Sequence, residues 1–385
     1  MSVTAAGGFR SAGVAAGIKS SGALDLALVV NDGPTDVAAG VFTRNQVKAA
    51  PVLWSQQVLT SRRLRAAVLN SGGANACTGP GGFQDTHATA ERVATVLDCG
   101  AAEVAVCSTG LIGERLPLAA LLSGVDKAAA ALAATPEAGL AAASAVLTTD
   151  TVPKQAVVSR GGWTIGGFAK GAGMVAPSLA TMLCVLTTDA AVDGSALNAV
   201  LRRATSGTFE HLDIDGACST NDTVLLMASA ASGTVPDDEE FAAAVQQVCH
   251  QLVTSLQADA EGVTKEIAIT VRGAADSTEA LAAARAVARD NLVKAAFFGS
   301  DPNWGRIAAA SGASPATVHA ETLDIWINGV LLCQGGAVAA DRSKADLSGR
   351  EITVEIDLHL GDGQATVLTT DLSHGYVEEN SAYSS

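Results

Sequence analysis

Apolar positions along this chain follow two rhythms. Short, mostly apolar runs, LDLALVV (24–30), AAVLN (66–70) and EVAVC (103–107), have the length of buried strands, and MLCVL (182–186) is a further one. Elsewhere the apolar spacing is three and four. From about Asp237, the residues Phe241, Val245, Val248, Leu252 and Leu256 fall on one face of a helix that VTSLQADAEG closes. A helix over 84–97 stops near Gly100, and the Ala- and Leu-rich stretch 117–147 forms two helices broken near Thr135-Pro136. Another helix is expected from Asp276 to about Phe298, with Glu279 three residues on as the partner of a capping box. The last third alternates, giving strands at TLDIWIN (322–328), EITVEIDL (351–358) and ATVLTTDL (365–372). With no internal repeat and no low-complexity linker, the chain reads as α/β or α+β with mixed sheets. Its 385 residues leave room for two domains or one large layered one.

Charge narrows the partners. The 24 basic and 39 acidic residues give a formal charge of −15, a field that attracts neither nucleic acid nor an anionic membrane. Seven cysteines stand at 77, 99, 107, 184, 218, 249 and 333 without a C-x-x-C pair, several of them inside apolar runs. Buried reduced thiols of a cytosolic protein explain them better than a disulfide framework. The six histidines do not cluster, so no zinc or other metal site is expected. No charged leader with an apolar block and no membrane-spanning run is visible, and a cytoplasmic protein is the expectation.

Candidate chemistry concentrates in KGAGMVAPSLATMLCVLTTDA (170–190). An isolated threonine before a strand is ordinarily a strand residue with a satisfied hydroxyl. Around Thr181 three neighbours argue otherwise. Ala180 is small and leaves the carbonyl before Thr181 open, Gly171 and Gly173 free the upstream backbone, and Pro177 fixes one turn of it. An accessible peptide bond before a hydroxyl is what an N→O acyl shift requires. Hydrolysis of the resulting ester would leave Thr181 as a chain terminus, carrying a nucleophile and its own amine. Such an amine titrates at about 7.7–8.0 and can serve as base for the hydroxyl. The β-branch restrains χ1.

KGAGMVAPSLATML resembles the cleavage and nucleophile motif of the ornithine acetyltransferases, the glutamate N-acetyltransferases of arginine biosynthesis. The resemblance extends through GFRSAGVAAGIK (8–19), NSGGANACTG (70–79), CSTGLIGERLP (107–117), TTDTVPK (148–154), FFGSDPNWGRI (297–307) and the terminal ENSAYSS, in the family's order. It implies a layered α/β/β/α fold, like that of N-terminal-nucleophile hydrolases but with different connectivity. It also implies self-cleavage between Ala180 and Thr181 into chains 1–180 and 181–385, which stay associated as two copies of each. Thr181 becomes the nucleophile, taking acetyl from N2-acetylornithine and passing it to glutamate in a ping-pong cycle. No metal or tightly bound cofactor is implied, and in some members acetyl-CoA is a co-substrate.

Roles for further residues follow from the same resemblance. Thr109 and Gly110, in the CSTG that follows strand EVAVC, form the oxyanion hole. Lys170 and Thr148 bind substrate, with Thr149 or Thr151 as alternatives to Thr148. Glu261, at the end of the ADAEG helix where its charge opposes the helix dipole, recognises the substrate's amino group. Asn380 and Ser385 reach substrate from the polar tail. Two departures stand out: the family often has Thr in place of Ser385, and Asn-Met in place of Ser178-Leu179. Two readings compete with the transferase, an amidase or aminopeptidase that uses water as acceptor, and an uncut binding protein with a structural Thr181. GGFAKGAG lacks the order of a phosphate-binding P-loop. DIDGACSTND (213–222) lacks the glutamate that completes an EF-hand. DPNWGR reads as a turn with a packed Trp304.

Overall fold

Where both faces of a strand are covered, every side chain along it is apolar or hydrogen-bonded, and the mostly apolar runs become strands for that reason. A computed structural model describes residues 2–176 and 182–382 and places these strands in three sheets. The chain divides into two units, Met1–Glu210 with Ala217–Leu256, and His211–Gly216 with Gln257–Ser384.

The first unit opens with β1 (Phe9–Val14), β2 (Leu26–Asn31), β3 (Val37–Phe42), α1 (Ala50–Val58), β4 (Ala66–Asn70), α2 (Gly79–Leu97) and β5 (Val104–Ser108). Helices α3 (Leu118–Ala130) and α4 (Pro136–Ala145) follow, then β6 (Lys154–Arg160), β7 (Trp163–Lys170) and β8 (Leu183–Thr188). It continues with α5 (Gly194–Ser206), β9 (Thr223–Ala228) and most of α6 (Asp238–Ala258). One sheet has the order β1-β2-β4-β5 and the other β3-β9-β8-β7-β6. Their inner faces share one core, with Phe9, Val29 and Leu69 of the first packed with Phe168, Val185 and Leu225 of the second. Behind the first sheet, Leu28, Val68 and Val106 lie under Val93 of α2 and Val125 of α3. Over the second, α5 packs on β3 and Phe241 of α6 stacks edge-on to Trp163. This is the α/β/β/α layering that the resemblance implied.

The second unit contains β10 (Glu266–Ala274), α7 (Ser277–Arg289), α8 (Asn291–Phe298), α9 (Trp304–Gly312) and β11 (Asp324–Ile327). After these come β12 (Val330–Gln334), β13 (Ala337–Val338), β14 (Glu351–Asp357), β15 (Gly363–Thr370) and α10 (His374–Ala382). Its mixed sheet, β13-β12-β11-β14-β10-β15, sends Ile267, Ile269 and Val271 into a core with Ala280, Ala284 and Val287 of α7. Glu351, Thr353 and Glu355 point the other way and are exposed, which is the alternation legible in EITVEIDL.

Several sequence expectations change, and the helix expected over 84–97 already begins at Gly79. The helix drawn from Asp276 to Phe298 is two helices, because Asp290 leaves helical backbone (φ −72°, ψ 115°) and accepts from the Val293 amide at 2.9 Å, capping α8. Asp276 does cap α7, through the Thr278 and Glu279 amides, but the Glu279 carboxylate accepts from the Thr317 amide instead of closing the box. The β6–β7 hairpin was not read from the sequence, although its Gly161-Gly162 turn, both glycines at positive φ, is the dipeptide such a hairpin needs. The seven thiols are free, four of them buried. Among the described residues no helix is long and apolar enough to cross a membrane.

Candidate active site

Parallel pairing of β4 with β5 brings Asn70 and Ser108 side by side at the carboxyl ends of both strands. The two loops that leave there are locked together. Ser108 Oγ donates to Asn70 Oδ1 at 2.6 Å, the Thr109 amide donates to the Asn70 carbonyl at 3.0 Å, and the Gly73 amide donates to the Thr109 carbonyl at 3.0 Å. Gly110 then turns at φ +129°, where an added Cβ would lie 2.5 Å from the Gly73 nitrogen. Only glycine fits that turn. Its own amide makes no hydrogen bond among the described residues.

Lys170, the last residue of β7, is 1% exposed and donates from Nζ to Thr109 Oγ1 at 3.1 Å. An ammonium on the acceptor side of a hydroxyl leaves the hydroxyl's own hydrogen to point elsewhere. Thr109 can then donate its own hydrogen to a further acceptor.

A buried carboxylate organises the surroundings of this lysine. Asp150 Oδ1 accepts from Lys154 Nζ and from the Gly171 amide, both at 2.6 Å, and Oδ2 accepts from the Thr148 amide at 3.2 Å. Burial pushes the Asp150 carboxyl up, but the charges of Lys170 and Lys154 and the hydrogen bonds from Lys154 and Gly171 outweigh it, holding it below the ordinary 3.8. One carboxylate therefore ties Thr148 to the segment that follows Lys170. Lys19 adds a second tether, donating from Nζ to the Leu147 carbonyl at 2.7 Å. Its own loop is held by Asp25, which accepts from the Ala16, Gly17, Ile18 and Lys19 amides and gives the GFRSAGVAAGIK motif its structural purpose.

A third loop reaches the same place. Asn221 Nδ2 donates to the Ala74 and Ser108 carbonyls at 2.7 and 2.8 Å, and Asp222 Oδ1 accepts from the Met182 amide at 3.2 Å. Ala180 and Thr181 themselves lie outside the described residues, as does Ser385.

In the second unit, Glu261 and Asn380 meet: Asn380 Nδ2 donates to Glu261 Oε2 at 2.7 Å. The expectation that Glu261 opposes a helix dipole is corrected, since α6 stops at Ala258 and Glu261 stands in the turn beyond it. Gly262 follows at φ +60°, where a Cβ would lie 2.0 Å from the Tyr376 nitrogen, so glycine lets the start of α10 close on this turn. DPNWGR is a helix start: the Asn303 side chain accepts from the Arg306 amide to cap α9, and Trp304 packs on the core.

Sequence reasoning named Thr109, Gly110, Thr148 and Lys170, which the first unit brings into one neighbourhood, and Glu261 with Asn380, which the second unit pairs. It missed Asp150, Lys154, Asn221 and Asp222. A signal existed for the last two, because the polar run STND and Thr223 stand directly before the apolar VLLMA, and carboxamide and carboxyl groups at a buried strand mouth need partners.

Layered sheets, with a buried lysine aimed at a hydroxyl next to a glycine amide that makes no hydrogen bond among the described residues, define an α/β protein with its polar groups gathered at one strand mouth. The chain belongs to the ArgJ family, which it matches over residues 10–385. It is 62% identical to the arginine biosynthesis bifunctional protein ArgJ of Mycolicibacterium paratuberculosis, over all of this chain and 96% of that one. The ArgJ of Streptomyces coelicolor is 57% identical, with the whole of both chains covered. The ornithine acetyltransferase of Mycobacterium tuberculosis, solved as a complex with ornithine, is 66% identical over 46% of this chain and 95% of that chain, with a TM-score of 0.46.

Proposed function

We propose that this chain cuts itself between Ala180 and Thr181 and then moves acetyl from N2-acetylornithine to glutamate by way of an ester on Thr181 Oγ. Service in acetyl transfer for arginine biosynthesis follows from family membership along the whole chain. The observation that carries the mechanism is the buried Lys170–Thr109 hydrogen bond beside Gly110. In the first half-reaction the Thr181 hydroxyl attacks the acetyl carbonyl and its proton passes to the α-amine of the same residue. The carbonyl oxygen becomes an anion that the Thr109 hydroxyl and Gly110 amide receive. Ornithine leaves with the proton, and glutamate enters and reverses the steps. Glu261 is assigned to the substrate's amino group, Lys170 to its carboxylate, and Thr148, Asn380 and Ser385 to contacts with the same substrate. The scheme draws on one hydroxyl and one amine and calls on no cofactor. Acetyl-CoA as an alternative donor, and an assembly of two copies of each chain, complete the proposal.

The deciding assay follows ornithine release from N2-acetylornithine with and without glutamate. N-acetylglutamate should accumulate in step with ornithine, and omitting glutamate should stop turnover after one acetyl per site. Release undiminished without glutamate would make the protein an amidase and overturn the transfer.

The oxyanion assignment has its own test. Gly110→Ala places a methyl group against the Gly73 nitrogen and moves the amide off its aim. We expect kcat to fall about 10²–10³-fold, in line with loss of one preorganised donor, with the circular dichroism of the protein retained.

A further inference from the structure

We propose that Asp222 is the proton partner of the residue-181 nitrogen, giving it a proton when the Ala180–Thr181 bond breaks and facing the new terminal amine afterwards. This rests on the self-cleavage proposed above. Asp222 immediately precedes β9, and β9 pairs in parallel with β8 from Leu183 opposite Thr223, so Asp222 and Met182 occupy the same strand mouth. The side chain is 0% exposed. Its Oδ1 accepts from the Met182 amide, and its Oδ2 has no hydrogen-bond partner among the described residues. A buried carboxyl oxygen left bare costs about 1–3 kcal/mol, and such atoms persist where something not yet counted uses them. Covalent geometry says what lies nearby: no more than about 4 Å of chain separates the nitrogen of residue 182 from that of residue 181.

Burial also favours the protonated form that a donor needs. Burial raises its pKa well above the ordinary aspartate value, against the opposing effects of the Met182 amide, the Ser219 and Thr43 hydroxyls and the charge of Lys170.

The step balances. As Thr181 Oγ bonds to the Ala180 carbonyl carbon, the C–N bond breaks and the nitrogen leaves with the electron pair, taking the proton of Asp222. The proton lost by the hydroxyl returns to the carboxylate, so the net change is an amide and an alcohol becoming an ester and an amine. Water then hydrolyses the ester, and the carboxyl shares its proton with the new amine; the pair gives that proton up to solvent before the amine acts as base in acetyl transfer.

Asp222→Asn keeps an acceptor for the Met182 amide and removes the acidic proton. After a pulse of synthesis, denaturing gels should show uncut Asp222→Asn chain persisting at least ~10-fold longer than in the parent, in keeping with loss of a general acid. Cutting at the parental rate would overturn the role of Asp222 and leave Thr181 untouched as nucleophile. Cutting of Thr181→Ala at this bond would overturn the reading beneath. Thermal unfolding of uncut Thr181→Ala, with and without Asp222→Asn, checks that slow cutting is not loss of fold. Should the variant fail to fold, the parent supplies the answer by titration of its terminal amine after ¹⁵N-threonine labelling. A facing carboxylate places that pKa about one unit or more above the usual 7.7–8.0, and a value in or below that range overturns the proposal.

Discussion

Thr181→Ala is expected to leave one chain of 385 residues on a denaturing gel and to abolish acetyl transfer, a loss of at least about 10⁴-fold. Both effects come from one oxygen. In the precursor it attacks the preceding carbonyl, and in the mature enzyme it carries the acetyl group, so removing it ends two reactions that otherwise share no substrate. The size of the loss follows from covalent catalysis: without the nucleophile, the oxyanion site and the binding residues still act, but they have no acyl-enzyme to stabilise. Thr181→Ser separates the hydroxyl from the β-methyl. It should still cut and turn over, more slowly, because serine samples rotamers that the branched side chain excludes. Intact mass with N2-acetylornithine and no glutamate checks the same point, since an acetyl adduct should appear on the 181–385 chain of the parent and on no part of Thr181→Ala. Cleavage or an adduct in the alanine variant would place the nucleophile elsewhere.

Much of this was legible in the sequence, and the boundary has a physical cause. Runs such as AAVLN and EVAVC state their own structure, since an apolar segment of five residues buried on both faces has few alternatives to a strand, and they appear as β4 and β5 within one residue. The Asp290 break was hidden because an aspartate inside a helical spacing looks like a solvated position until its side chain is seen to cap the next helix. In the site, Thr109, Gly110 and Lys170 were legible as motif members, while the contact between Lys170 and Thr109 spans 61 residues of chain and no spacing rule reaches it. Asp150 was illegible for the same reason, and Asp222 carried only the signal of a polar run before a buried strand. Each sits in a polar stretch that reads as a turn, and only the fold shows that Asp150 gathers Thr148, Lys154 and Gly171, or that Asp222 meets the amide after the nucleophile.

Asp150→Asn should be the most destabilising single change in the site. Lys154 and Asp150 are both buried, their side chains 1% and 0% exposed, and the asparagine would take away the carboxylate that lies 2.6 Å from the Lys154 ammonium. Breaking a buried pair from one side costs about 3–5 kcal/mol, because the desolvated charge remains. The measurement belongs in the uncut Thr181→Ala background, where unfolding involves one covalent chain and a urea midpoint can be compared directly. Adding Lys154→Met to Asp150→Asn should recover part of the loss by removing the stranded charge. Recovery should stop short of complete, since Lys170 and the Gly171 amide also rely on this carboxylate. The pH dependence carries a definite sign. A carboxyl whose folded pKa lies below its unfolded 3.8 stabilises the fold fully above that value, and the contribution fades as pH falls through the lowered folded pKa. The gap between parent and Asp150→Asn should therefore be constant from neutrality down to about pH 5 and close only below ~4. A gap that closes near neutrality would mean that a group other than Asp150 holds this corner of the site together.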